Sequence, residues 1–175
     1  MTDPPAPVDP DEFRRTIARW ASGVAIVTGR DGSFDVGLTV NSLISVALRP
    51  PTILVSLSES ADSTPVVERS RVFGVSVLTT AQRSVSERFA LAISSQEKFA
   101  GLSVHRGTTG VALLDGALAT LECHVTQVIP VADHHLIVGL VVAAHGGSDD
   151  LPLTFYRSHY GEPGAPGTLK LGSSR

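Results

Sequence analysis

Two polar segments of the sequence could bind a flat, phosphorylated ligand. Residues 37–45 read Gly-Leu-Thr-Val-Asn-Ser-Leu-Ile-Ser, and their hydroxyls, amide and backbone N–H groups can hydrogen-bond the edge of a polar ring system. Residues 56–65 are rich in serine and lead into a predicted helix N-terminus, where hydroxyls and N–H groups favour a phosphate. Each segment also has a plainer interpretation, as a polar connection between strands or as an ordinary helix cap.

Two cations and a histidine pair could add to this chemistry. Arg88 and Lys98 could supply charge to the same phosphate, although either can be a plain surface cation. Asp133, His134 and His135 precede an apolar strand, where an ordinary turn would need no histidine. Because neighbouring side chains on a strand point to opposite faces, the two histidines cannot both bind one metal ion. The pair therefore contains either a functional histidine or two solvated loop residues.

Several familiar catalytic motifs are missing from the sequence. It contains no GxGxxG, no GxxxxGK[ST], no HExxH and no GxSxG pattern. Its single cysteine, Cys123, rules out an internal disulfide and a multi-cysteine zinc site. Because Cys123 lies in the middle of an alternating apolar strand, we expect a small buried hydrophobic residue rather than a nucleophile.

The composition is that of one globular domain. The 175 residues are 42% apolar and 18% charged, which excludes a largely disordered chain. No apolar run is long enough for a transmembrane helix, and a net charge of −3 gives no basic footprint for nucleic acid. We therefore expect a cytoplasmic protein with neither membrane nor nucleic acid as a partner. We predict a flexible leader at 1–8, one domain at 9–161 and a flexible tail at 162–175.

The pattern of elements predicts a mainly β protein. Asp9-Pro10 begins a helix whose apolar spacing runs through Trp20 and ends at Gly23, and short helices are expected at 64–70 and 80–91. The strand-like stretches are a hairpin over 24–40, then 44–48, 52–57, 72–78, 117–129 and 136–144. The alternation slips near Gln127, which indicates a bulge. Since strands and helices do not alternate regularly, we expect a closed or partly closed antiparallel barrel with helical insertions.

A series of short motifs follows one another along the chain. They are Phe13-Arg14, residues 22–28, residues 39–46 with Pro50-Pro51, residues 73–78 with Gln82, residues 87–90, 98–101, 114–117 and 122–123, and Asp133-His134 with Val138-Gly139. In this order they resemble the flavin reductase family, whose fold is the FMN-binding split barrel. The resemblance covers residues 12–161. It departs from the family at Ala132, where a glycine is usual, and at Ser22-Gly23, where Thr-Gly is common.

The resemblance implies an activity and its partners. Members are the reductase components of two-component flavin-dependent monooxygenases, so it implies an NAD(P)H:flavin oxidoreductase that supplies reduced FMN or FAD to a partner monooxygenase. Hydride would pass from C4 of NADH or NADPH to N5 of the flavin, with the protein supplying orientation and electrostatics. Because a small barrel is filled by its own side chains, the flavin must lie outside it. The resemblance implies that a homodimer supplies the second wall.

The resemblance also implies roles for individual residues. The predicted flavin-binding residues are Thr39, Val40, Asn41, Ser42, Ser56, Leu57, Ser63, Thr64, Arg88, Phe89 and Lys98. The predicted nicotinamide-binding residues are His134, Tyr156, Arg157 and Tyr160, and His134 is also the predicted catalytic residue. An alternative is a non-enzymatic split-barrel protein that carries or senses flavin or haem, because the fold alone does not separate the two. Asp133-His134 together with residues 39–45 favours the enzyme.

Overall fold

Antiparallel strands dominate the computed structural model, which describes residues 6–164. The strands are β1 (Ser22–Gly23), β2 (Ala25–Asp31), β3 (Phe34–Val40), β4 (Ile44–Leu48), β5 (Pro51–Ser58), β6 (Val72–Val77), β7 (Val104–Arg106), β8 (Ala112–Leu114), β9 (Ala119–Val131), β10 (His134–Gly146), β11 (Thr154–Tyr156) and β12 (His159–Gly161). The helices are α1 (Pro10–Ile17), α2 (Ser63–Ser70), α3 (Arg83–Phe89) and α4 (Ser95–Phe99), with a 3-10 turn at Thr80–Gln82.

The main sheet has seven strands in the order β3-β2-β6-β9-β10-β5-β4, all antiparallel. A second sheet has the strand order β1-β11-β12, and β7 pairs with β8. The predicted hairpin over 24–40 is confirmed, with its turn at Gly32 in the left-handed region at a φ of 56°. This is the antiparallel split barrel with short helices that the sequence predicts.

The core lies on both faces of the central strands. One cluster fills the concave side of the main sheet with side chains such as Val27, Val55, Phe73 and Ile137. A second cluster packs the opposite face of β2 against α3, α4 and the start of β7, and includes Ile26 and Phe89. Because β2 is covered on both sides, its first four residues are all buried instead of alternating. Residues 37–40 lie on the edge strand β3, which pairs with β2, and residues 41–45 follow it along the chain.

The first helix differs from its prediction. Asp9 caps it as expected, accepting hydrogen bonds from the N–H groups of Asp11 and Glu12 at 2.9 and 3.1 Å. However, α1 ends at Ile17, and its apolar face, extended by Trp20, is exposed. The chain leaves the helix early because β1 pairs with β11, far along the sequence.

Other differences fall in regions that lacked a strong pattern. The stretch after α3, expected to be a loop, contains α4 and β7, and the hairpin β11–β12 was not predicted. The bulge near Gln127 is confirmed, since the register between β9 and β10 shifts there and leaves Thr126 unpaired. Within residues 6–164, no helix is both long and apolar enough to cross a bilayer. Most of the predicted leader and tail, at 1–5 and 165–175, lies outside the described residues.

Candidate functional site

A cleft of about 910 Å³ separates α1 from the segment that follows β3. One wall is formed by Asn41, Ser42, Leu43, Ile44 and Ser45, and the other by Arg14, Ile17, Ala18, Trp20 and Ala21. The floor comes from residues 22–25 and Val77, with Phe155 and Ser158 of the β11–β12 hairpin at one side. The volume is within the range of about 300–1,000 Å³ that small-molecule sites occupy.

Hydrogen bonds hold the polar wall of this cleft in place. The hydroxyl of Ser42 donates to the carbonyl of Ser56 at 2.9 Å and accepts from its N–H at 3.2 Å, which ties the segment to β5. The hydroxyl of Thr39 donates to the carbonyl of Ser86 at 2.7 Å, and Val40 is buried in the core. Asn41 lies between these anchors with its side chain exposed. The segment therefore presents an amide and backbone groups from a rigid position.

A second polar region lies at the start of α2. Ser63 and Thr64 are buried there, and the hydroxyl of Thr64 donates to the carbonyl of Ser58 at 2.7 Å. The Nζ of Lys98 donates to the carbonyl of Gly37 at 3.3 Å. Burial lowers the pKa of the Lys98 ammonium, while the nearby carboxylate of Asp62 acts in the opposite direction. The electrostatic effect of Asp62, which precedes α2, on Lys98 indicates that the predicted cation lies near the predicted phosphate-binding helix end.

Three of the predicted flavin-binding side chains make packing contacts or hydrogen bonds within the protein. Leu57 is completely buried in the concave core, so only its backbone could face a ligand. The ring of Phe89 is buried against Gly37, where an added Cβ would lie 2.7 Å from it. The guanidinium of Arg88 donates to the carbonyl of Ala100 at 2.8 Å and so anchors the chain after α4. These three side chains therefore support the structure around the site more than they present groups to a ligand.

His134 lies on the outer face of the main sheet, at the start of β10. It pairs with Ser58 on β5, and two residues further along Leu136 pairs with Ser56. Because paired residues and residues two apart share a face, His134, Ser58 and Ser56 all point outward. The Nδ1 of His134 is 2.8 Å from the carboxylate of Asp133, and this hydrogen bond lowers the pKa of Asp133. The predicted catalytic histidine is thus on the same face as the β5 residue that anchors Ser42.

The turn before His134 and the residue after it hold the start of β10 in place. Ala132, the position at which the resemblance leads us to expect glycine, adopts the left-handed region at a φ of 52°. The N–H of Glu59 donates to the carbonyl of Asp133 at 2.9 Å. On the inner face, the Nδ1 of His135 hydrogen-bonds the carboxylate of Glu68 on α2. His135 therefore joins β10 to the helix whose start carries the predicted phosphate site.

The predicted C-terminal residues fall into two groups. The hydroxyl of Tyr160 hydrogen-bonds the hydroxyl of Ser86 at 2.8 Å, and the carbonyl of Ser86 accepts from Thr39. Tyr160 is thus linked through Ser86 to Thr39, one of the predicted flavin-binding residues. Tyr156 and Arg157 lie in and beside the hairpin turn, where the Arg157 guanidinium stacks 5.2 Å from the centre of the Tyr156 ring. Among residues 6–164, no hydrogen bond or ion pair links these two side chains to His134.

The structure adds cleft residues that the sequence analysis missed. Arg14, Ile17 and Trp20 line the cleft from α1 and the turn after it, and Ser22 lines its floor. The sequence signal that could have found them was the helical spacing of apolar residues, which instead suggested a helix face packed against the core. Cys123 is buried as expected, and burial raises the pKa of its thiol to about 12, so it stays protonated.

Comparisons with known proteins agree on one family. Residues 17–164 match the family model described as "Flavin reductase like domain". The chain is 35% identical over 150 residues to the reductase component of 4-hydroxyphenylacetate 3-monooxygenase from Thermus thermophilus, covering 86% of this chain and 94% of that protein. It is 34% identical over 157 residues to an FMN reductase (NADH) from Stutzerimonas stutzeri, covering 89% and 90%.

A solved structure supports the same relationship. The NADH:FAD oxidoreductase of Streptomyces globisporus superposes with a TM-score of 0.84 at 29% identity, covering 92% of this chain and 99% of that one. One of these relatives is named for FMN and another for FAD.

Proposed function

This chain belongs to the flavin reductase family, and from that membership we propose how its residues carry out NAD(P)H-dependent reduction of FMN or FAD. Bound flavin would supply the hydride acceptor, N5, and the nicotinamide C4 the hydride. Reduced flavin then passes to a monooxygenase component, as the name of the Thermus relative indicates for that protein. One observation carries this proposal. The hydroxyl of Ser42 in the cleft wall is hydrogen-bonded to the backbone of Ser56, and Ser56 lies on β5, whose end is beside α2 and Lys98.

The residues present fit a flavin phosphate at one end and a flavin ring at the other. The side chain of Asp62 does not cap the start of α2. Of its first three residues, Pro65 has no N–H and Thr64 donates its own to the carbonyl of Ala61, so Ser63 is the one that can offer an N–H to a phosphate, and Lys98 supplies a cation next to it. Asn41 and the backbone around Ser42 offer donors and acceptors to the polar edge of the ring. Such donors would stabilise negative charge that develops on the ring during reduction.

His134 is proposed to orient the nicotinamide. Its ring is held by Asp133 on one side and is half-exposed on the outer face of the sheet, next to Ser58 and Ser56. A positioned ring N–H or nitrogen can hydrogen-bond a carboxamide and so hold C4 within about 3–3.5 Å of the acceptor atom. Hydride transfer needs no proton relay, so this residue contributes orientation.

A homodimer is proposed to complete the site. The outer face that carries His134 and Ser56 also presents Ile44, Ile129 and Leu136, of which Ile44 and Ile129 are exposed in one chain. An exposed apolar patch next to polar binding groups is typical of an interface. A second copy on this face would cover these side chains and supply the second wall for a flat ring.

The dimer is tested by Ile129→Arg, followed by light scattering after size-exclusion chromatography and by activity. We expect a monomer with native far-UV circular dichroism and greatly reduced flavin reduction. The matched control is Phe34→Arg, also an exposed apolar residue but located at the β2–β3 hairpin. A fully active monomer at micromolar concentration would contradict the proposal.

The activity is tested by anaerobic mixing of purified protein with FMN or FAD and with NADH or NADPH, following loss of the absorbance of oxidised flavin. Reduction of at least one flavin by one nucleotide is expected. Folded protein that reduces neither flavin with either nucleotide would overturn the assignment. Transfer is then tested in the presence of O2, by adding the oxygenase component alone of a two-component monooxygenase and measuring hydroxylated product against a reaction with flavin reduced chemically.

A further inference from the structure

We propose that the cleft between α1 and residues 41–45 contains a subsite for an adenosine phosphate, with Trp20 stacked on the adenine. FAD and NAD(P)H both carry this group, whereas FMN does not. The inference rests on the proposed flavin reduction, because that function brings such ligands to the cleft. It concerns the α1 wall, which none of the residues proposed above to hold the flavin ring or its phosphate occupies.

Trp20 has the properties of a stacking platform. It is the only tryptophan of the chain, it is 77% exposed, and it lines the cleft. Its backbone is nonetheless fixed, because its N–H donates to the carbonyl of Ile17 at 2.9 Å and the N–H of Arg157 donates to the carbonyl of Ala18 at 2.8 Å. A large aromatic ring that contributes nothing to the core, on a backbone that is fixed at the edge of a cleft, is suited to stacking on a base.

The floor of the cleft contains a hydroxyl that lacks a partner. The Oγ of Ser22 is buried and finds no hydrogen-bond partner among residues 6–164. A buried polar atom left without a partner is unfavourable, which is why such atoms are rare in folded proteins. Ser22 lines the cleft, but its Oγ is buried, so a ligand with ribose hydroxyls or ring nitrogens can pair with it only after the Ser22 side chain changes rotamer.

Arg14 supplies a cation to the same cleft. Its Nη1 lies 2.6 Å from the carboxylate of Asp11, and both side chains are exposed, so the pair is accessible to exchange. A guanidinium has five N–H donors, and the contact with Asp11 leaves others for a phosphate. An aromatic platform, an unpaired hydroxyl and a guanidinium together match the base, the ribose and the phosphate of an adenosine phosphate.

The size of the cleft fits an additional group. At about 910 Å³ it is near the upper end of the range of about 300–1,000 Å³ for small-ligand sites. Asn41 and Ser42 occupy one wall, so a ring held there still leaves the α1 wall free. The second ring system of a dinucleotide would occupy that wall.

Binding is tested first without activity, using AMP as the probe and the fluorescence of Trp20 as the signal. Because the chain has one tryptophan, any saturable change reports on this position. We expect quenching by AMP and none by ribose 5-phosphate, which lacks the base. No saturable quenching by AMP at millimolar concentration would overturn the subsite. Quenching in a protein that fails to reduce flavin would keep the subsite and reject the proposed function.

Kinetics then distinguish the two sources of the adenosine phosphate. With Trp20→Ala, the ratio of KM for FAD to KM for FMN rises about 5- to 150-fold if the flavin places its adenylate there. The ratio of KM for NADH to KM for reduced nicotinamide mononucleotide rises by a similar factor if the hydride donor does. Trp20→Phe should retain most of the wild-type ratio, because a phenyl ring still stacks.

The matched control is Phe13→Ala, an exposed aromatic residue on α1 that does not line the cleft. It should leave both ratios unchanged. If Trp20→Ala raises KM for the mononucleotides as much as for the dinucleotides, Trp20 contacts the reacting rings and the adenosine subsite is rejected. The same rejection follows if Trp20→Ala leaves both ratios at their wild-type values.

Discussion

Replacing His134 with alanine should separate use of the nicotinamide nucleotide from binding of flavin. The side chain is 45% exposed and its ring contacts Asp133, so removing it should change the free energy of unfolding by less than about 0.5 kcal/mol. Loss of one hydrogen bond that orients the nicotinamide is worth about 1–3 kcal/mol, which is roughly 5- to 150-fold in kcat/KM for NADH or NADPH. The affinity for FMN should stay the same, because Ser42, Ser56 and Lys98 lie on other elements.

The assay is anaerobic stopped-flow reduction of FMN at varied nucleotide concentration, with fluorescence titration of FMN in parallel. His105→Ala is the matched control, since His105 forms an equivalent pair with Asp115 at 2.6 Å, is 49% exposed, and lies on the separate β7–β8 sheet. His135→Ala is unsuitable as a control, because His135 is bonded to Glu68 on α2. Equal kcat/KM values in His134→Ala, His105→Ala and the wild type would refute the role of His134.

Three further changes test the site and its scaffold. Lys98→Met removes the cation at the start of α2, so fluorescence titration should show FMN affinity reduced about 10- to 150-fold and riboflavin affinity unchanged; equal losses for both would contradict the phosphate role. Ala132→Gly relieves a left-handed backbone, so it should stabilise the protein by about 1 kcal/mol and raise Tm by about 2–4 °C in calorimetry; a lower Tm would contradict this. Burial acts to raise the pKa of Glu122, but hydrogen bonds from Thr109 and Thr108 leave that pKa lower than usual. Its stabilising effect should therefore be complete above the pKa of the unfolded glutamate and disappear as the pH falls through the folded value, and urea titrations should show that Glu122→Gln flattens this acid dependence.

The sequence by itself determined the elements whose signals are local. Asp9 and Pro10 began α1 where predicted, because a cap and a first-turn proline act within a few residues. The hairpin over 24–40 and the bulge near Gln127 followed from turn chemistry and from the alternation of apolar side chains. The ordered motifs identified the family, since short stretches spread along the chain in a fixed order are typical of one fold. The assignment of Cys123 as a buried hydrophobic residue followed from its strand pattern.

Only the tertiary structure decided which of the predicted residues face a ligand. Alternation places Ser56 and Leu57 on opposite faces of β5, but it does not say which face is the core. The end of α1 was set by pairing between β1 and β11, about 130 residues apart in the chain, and this pairing left Trp20 beside the cleft. His135 looked like an incidental neighbour of His134 until α2 brought Glu68 to it. Such outcomes depend on contacts between distant segments, whose free energies exceed the local preferences that a sequence pattern expresses.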